Sequence, residues 1–87
     1  MPQNPVQIEV RVRDRVGVVS EVTREISALE LPIHSHAARV IHERHGAAVS
    51  VFRAVLAADD ATLTRLRKRC ARIKGFLSFD LLPPNGS

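Results

Sequence analysis

Residues 6–13 alternate without a break, with Val6, Ile8, Val10 and Val12 on one side and Gln7, Glu9, Arg11 and Arg13 on the other. A period of two predicts a half-buried strand. From Val18 the spacing lengthens. Val18, Val22, Ile26 and Leu29 recur at helical intervals, with Glu21, Arg24, Glu25 and Ser27 on the remaining faces, so a helix follows. Pro32 is expected to stop that helix and to push Leu31 towards extended backbone. Residues 33–41 read as a second strand. The turn "ERHG" comes next, with Gly46 able to take a positive φ. "AAVSVFRAVLA" then reads as a third strand. Asp59 and Asp60 are N-cap candidates for a second helix. Its buried stripe is Leu63, Leu66, Cys70 and Ile73, and Gly75 is its expected C-cap. "FLSFDLL" forms the last strand, ended by Pro83 and Pro84.

This β-α-β-β-α-β order predicts an α+β, ferredoxin-like chain: a four-stranded antiparallel sheet with two helices on one face. Residues 6–82 form the domain, and 1–5 and 83–87 are expected to be flexible. The third strand is apolar on both sides. Phe52, Ala54 and Leu56 are assigned to the helix-covered core. Val49, Val51 and Val55, interrupted by Arg53, go to the open face beside the histidines. A strand covered on one side only should alternate with polar residues, so an apolar open face predicts a partner. A second copy is the simplest one, giving a dimer or higher homo-oligomer. Length points the same way, because a chain of 87 residues buries only roughly 60% of its unfolded surface.

Charge and composition narrow the chemistry. The net charge is +4, which favours anionic partners. Three Phe with neither Tyr nor Trp leave no aromatic platform on which an RNA-binding sheet could stack bases. A single cysteine excludes an internal disulfide and fits a reducing compartment. The sequence has no apolar leader-like segment and no run of 18 apolar residues, so a cytoplasmic chain without a membrane partner is expected. No GxxxxGK, HExxH or GxSxG motif occurs; the chain is expected to be neither an enzyme nor a cofactor carrier.

The junction "RVRDRVGVVSEVT" joins strand to helix. Asp14 falls just past the strand, Gly17 permits a sharp turn, and the first N–H groups of the helix carry partial positive charge. Asp14 could cap those groups or take a ligand's amino group, and a cap plus a turn is the plainer reading. The stretch "VRDRVGVVSEVTREISALELPI" resembles the opening of an ACT domain, and "CARIKGFLSFDLL" resembles its close. The likeness spans residues 6–82. It is nearest to the C-terminal ACT domain of Rel/SpoT-type synthetase-hydrolases of guanosine tetraphosphate. Two positions differ from the pattern: Val16 stands where the family has proline, and Pro32 where it has asparagine.

The resemblance implies a non-catalytic regulatory domain. It would self-associate and bind an amino acid or other small effector to control an attached or partner enzyme, as in the stringent response. It also implies a site: Asp14, Arg15, Gly17 and Val18 from one copy, with Ile33 and His34 from a neighbour.

Two further features carry other readings. "HSHAARVIHERH" holds all four histidines. His34 and His36 are expected on one strand face, where two copies could assemble a four-nitrogen site for nickel, copper or zinc. The alternatives to an effector-binding domain are therefore a histidine-based metal sensor and a purely structural oligomerisation module. The second helix bears Arg65, Lys68, Arg69 and Arg72 on its outer arc. These read either as a solvated surface or as a contact for an RNA backbone.

Overall fold

A computed structural model of the chain describes residues 5–43 and 45–83. The elements run β1 (Pro5–Arg13), α1 (Val18–Ala28), β2 (Ile33–His42), β3 (Ala48–Ala57), α2 (Asp60–Cys70) and β4 (Phe76–Leu82). The strands form one antiparallel sheet in the order β2-β3-β1-β4, the ferredoxin-like arrangement. The expected flexible ends at 1–4 and 84–87 lie outside the described residues. Pro5, placed with the N-terminal end by its turn-forming neighbours, belongs to β1 and pairs with Ala57.

The core lies between the sheet and the helices. Ile8, Val10 and Val12 of β1 meet Phe52, Ala54 and Leu56 of β3, and Val18, Val22 and Ile26 of α1 close over them with Leu63, Leu66 and Cys70 of α2. The period of two on the strands and of three to four on the helices brings these side chains to one layer. Burial pushes the Cys70 thiol up to about 11, and Glu25 adds to the rise.

The helix ends differ from expectation in informative ways. Helix α2 starts as predicted: the Asp59 carboxylate accepts from the Thr62 amide at 2.8 Å, satisfying one free donor of the first turn. Its C-cap, however, is Ala71 and not Gly75. Gly75 instead turns the chain into β4 at φ +86°. A Cβ there would meet the Cβ of Arg13 at 3.1 Å, and its carbonyl accepts from the Arg13 amide at 2.9 Å. Helix α1 ends before Pro32 can act. Leu29 is its C-cap, Glu30 takes φ +56°, and the amides of Glu30 and Leu31 bond back to Ser27 and Ile26. This is the Schellman pattern, with glutamate where glycine usually stands. Gly46, able to take a positive φ, does not use that freedom; among the described residues the positive-φ glycines are Gly17 and Gly75.

Candidate functional site

The β1–α1 junction is an open turn. Gly17 is the N-cap of α1 at φ +81°, and no side chain caps the helix. Asp14 therefore does not play the capping role considered for it. Its backbone amide donates to the Ala48 carbonyl at 2.9 Å, which ties the end of β1 to the start of β3, and its side chain is exposed. Val16 is fully exposed at 100%. Apart from its immediate chain neighbours, no atom lies within 4 Å of the place a Gly17 Cβ would occupy, so the turn is unobstructed from outside. Val18, by contrast, turns its side chain into the core at 2% exposure; only its backbone faces the turn, and its amide already bonds to the Arg15 carbonyl at 3.2 Å.

Arg15 serves the fold. Its guanidinium donates to the Glu21 carboxylate and, at 3.1 Å, to the Lys74 carbonyl. It thus holds the first turn of α1 and the loop before β4 together. The hydrogen bond from Arg15 holds the Glu21 carboxyl below its ordinary range.

Ile33 and His34 lie at the opposite end of the sheet. Ile33 pairs with Leu56, whereas Asp14 bonds to Ala48. Eight residues of β3 separate the two positions, about 27 Å at strand rise. One chain cannot bring the implied set together.

The histidines do not behave as a two-residue repeat. The β2–β3 register shifts between Ile33 and Ser35, so His34 is the extra residue of a bulge and the alternation linking it to His36 is broken. His36 stacks on Phe52 with ring centroids 5.7 Å apart, which gives it a packing role. Among the described residues no group of three or more His, Cys, Asp or Glu could hold a metal.

The open sheet face also departs from expectation. Val49, Val51 and Val55 do lie there, away from the helices, but the histidines do not lie beside them: His36 pairs with Ala54 and His42 with Ala48, on the helix side of the sheet. Yet Val49 and Val51 are 2% and 1% exposed in the single chain. Val51 is flanked by Arg11 on β1 and Arg39 on β2, and arginine stems cover apolar floor while their charged ends stay wet. Val49 and Val51 are therefore already covered, Val55 is half-buried, and the surface this face presents is cationic. At its centre sits Glu9, 6% exposed. Arg53 donates to one carboxylate oxygen at 2.7 Å and Arg11 to the other at 3.0 Å. Desolvation raises the Glu9 pKa, but the bonds from Arg53 and Arg11 together outweigh it and hold it below 4.5. Sequence reading put Glu9 on the polar side of β1 but missed this cluster, because Arg53 is 44 positions away.

On α2 the outer arc is split. Arg69 bonds to Glu25 at 2.9 Å, and Arg67 lies over the Phe79 ring at 5.4 Å. Arg65 and Lys68 are exposed, and so is Arg72, which lies past the end of α2 in the turn after its C-cap Ala71 and not on the helix as expected. No helix among the described residues is long and apolar enough to cross a membrane.

No protein-family model matches the sequence, and no curated protein matches it. Solved structures do. The crystal structure of the ACT domain of GTP pyrophosphokinase from Chlorobium tepidum superposes with a TM-score of 0.72 at 16% identity, covering 92% of this chain and 99% of that one. The C-terminal domain of the MgtC protein from Mycobacterium tuberculosis gives 0.70 at 13% identity, covering 98% and 93%. A formyltetrahydrofolate deformylase from Pseudomonas putida gives 0.65 at 18% identity, where the match covers 94% of this chain but 29% of the longer one. The order of elements, the sheet topology and these superpositions agree: the chain has the fold of an ACT domain, as its strand-glycine-helix junction led one to expect.

Proposed function

We propose that this chain is a non-catalytic regulatory domain that self-associates and binds a small amino-acid-like effector at the β1–α1 turn, controlling an attached or partner enzyme. The observation that carries this reading is the unobstructed turn at Gly17 on a fold shared with the ACT domain of a GTP pyrophosphokinase. The α1 N-terminus has no side-chain cap, so its positive end is available to a carboxylate. The exposed Asp14 carboxylate is the complementary group for an ammonium. Arg15 supports the turn through Glu21 and Lys74.

Strand β2 supports the requirement for a second copy. It is one of the sheet's two edge strands, and its ten residues are almost all exposed. Such an edge is a ready template for another strand. Antiparallel pairing of two β2 edges would set Ile33 and His34 of one copy against the Ile41–His42 end of the other. That end lies in the same cross-strand row as Ala48 and Asp14. On this reading the interface runs along β2 rather than over the open-face valines.

Calorimetric titration of the whole chain with the common amino acids tests the proposal, paired with sedimentation. We expect weak binding by one of them and a dimer at high micromolar concentration. Gly17→Val should abolish the binding, since a β-branched side chain resists positive φ. A protein that stays monomeric and takes up no amino acid is not the domain proposed.

A further inference from the structure

The open face carries four arginines, Arg11, Arg13, Arg39 and Arg53, on three adjacent strands. Arg11 and Arg39 flank Val51 across the sheet, about 10 Å apart at two strand spacings. Arg53 stands two residues further along β3, about 7 Å from Val51. Arg11 and Arg53 each give only their Nε–H to Glu9, so the terminal nitrogens of both remain available. Glu9 fixes both guanidiniums with both of its oxygens, and orienting donors beforehand lowers the entropy cost of binding. Arg39 is exposed and has no ion-pair partner among the described residues.

The surface between these arginines is hollowed. One cavity of about 290 Å³ is lined by Ala37, Ala38, Arg39, Val51 and Arg53. Arg53 also borders a second, of about 300 Å³, with Gln7, Ser35 and Ala37 among its walls. The small side chains Ala37 and Ser35 on β2 make this relief.

We propose that Arg39 and Arg53, with Arg11 beside them, form a binding site for a small phosphate-type dianion over the floor of Ala37 and Val51. Three guanidiniums less the Glu9 carboxylate leave a net charge of two, which a phosphate monoester dianion matches. Planar, forked donors suit phosphate oxygens better than ammonium groups do. A nucleic-acid track fits less well. Glu9 and Asp80 face each other across β1 and β4, so a carboxylate pair interrupts the positive charge towards β4, and among the described residues no aromatic side chain on this face stacks a base. A second copy stacked on the face would set arginine against arginine.

The site is distinct from the Gly17 turn, so the two readings stand or fall separately. Backbone amide NMR of the whole chain tests this one, with inorganic phosphate, pyrophosphate and glycerol phosphate as separate probes. We expect saturable shifts at Ala37, Arg39, Val51 and Arg53, and none at Gly17. A response to glycerol phosphate at least equal to that for phosphate assigns the site to esters, and the reverse order to the free anion; either supports it. Arg39→Gln should weaken binding about tenfold, the loss of one charge-assisted contact, while Arg65→Gln on α2 should leave it unchanged. No shift at about 10 mM pyrophosphate, beyond the weak end of specific binding, overturns the proposal. So do shifts confined to α2 and an Arg39→Gln variant that binds like the parent. A single-stranded RNA that moves the same peaks, with affinity rising with its length, reassigns the face to a polyanion and equally overturns it.

Discussion

The two faces of the sheet are built from alternate residues of the same strands, yet they exclude water by different means. On the helix side, Ile8, Val10, Val12, Phe52, Ala54 and Leu56 are covered by the apolar stripes of α1 and α2. On the open side, Val49 and Val51 are covered with no helix above them, in a row with Arg11, Arg39 and Arg13. A helix covers by area and carries its own backbone hydrogen bonds. An arginine covers with its stem and leaves a charge at the rim. The first kind of cover is inert. The second leaves a surface with chemistry, and it buries Glu9 as the anchor of that surface.

The contrast is sharpest at Phe52, which sits wholly buried on the helix side. Phe52→Ala should cost about 3–5 kcal/mol, as large aromatic deletions do in cores, and in a domain this small most of the chain should unfold at 25 °C by circular dichroism. It would also remove the ring on which His36 stacks. If the variant folds normally, the helix side is not the core.

Val51→Ala tests the other face. A residue 1% exposed should lose about 1–2.5 kcal/mol on truncation. If arginine stems within one chain do the covering, the loss measured by urea unfolding should be the same at low and high protein concentration. A loss that grows with concentration would mean that a second copy covers the valines.

Glu9→Gln should cost about 1–2 kcal/mol at pH 7, a figure held down because the Arg11 and Arg53 side chains are 38% and 47% exposed and screened by solvent. Because the folded-state pKa lies below its ordinary value of 4.5, the stabilisation is complete above that value. It is lost as pH falls through the lower, folded-state pKa. The gap between parent and variant should therefore be constant from pH 7 to 5 and close below about pH 4.5. A gap that closes on raising the pH would contradict the geometry.

The smallest effect lies off the sheet altogether. Glu30→Gly should raise stability by about 0.5–1 kcal/mol, by relieving a non-glycine residue at positive φ, and thermal melting would show it as a higher midpoint. It should leave both faces, and any anion binding, unchanged.

Strand β1 could be read directly because one face is covered and the other is not, so alternation maps onto burial. The stripes Val18–Val22–Ile26 and Leu63–Leu66–Cys70 were legible for the same reason. What escaped reading depends on partners remote in sequence or on backbone events without a signature residue. Glu9 is buried by Arg53, a match set by the β1–β3 register. The bulge at His34 displaces a histidine pair that spacing alone joins. The α1 terminus closes on Glu30, which carries none of the glycine signal that marks such a turn. At the junction, Gly17 was legible as a turn, while the work of Arg15 depended on Lys74, a residue near the other end of the chain.

The buried Cys70 makes the protein unusually convenient to label. With its pKa pushed up to about 11 by desolvation and Glu25, only about one thiol in ten thousand is ionised at pH 7, and the thiolate is the form that reacts. A cysteine introduced at Val16, the fully exposed residue beside Gly17, would react with a maleimide fluorophore while the native thiol stayed silent. One substitution thus gives a single-dye reporter at the mouth of the turn, with no need to build a cysteine-free background first.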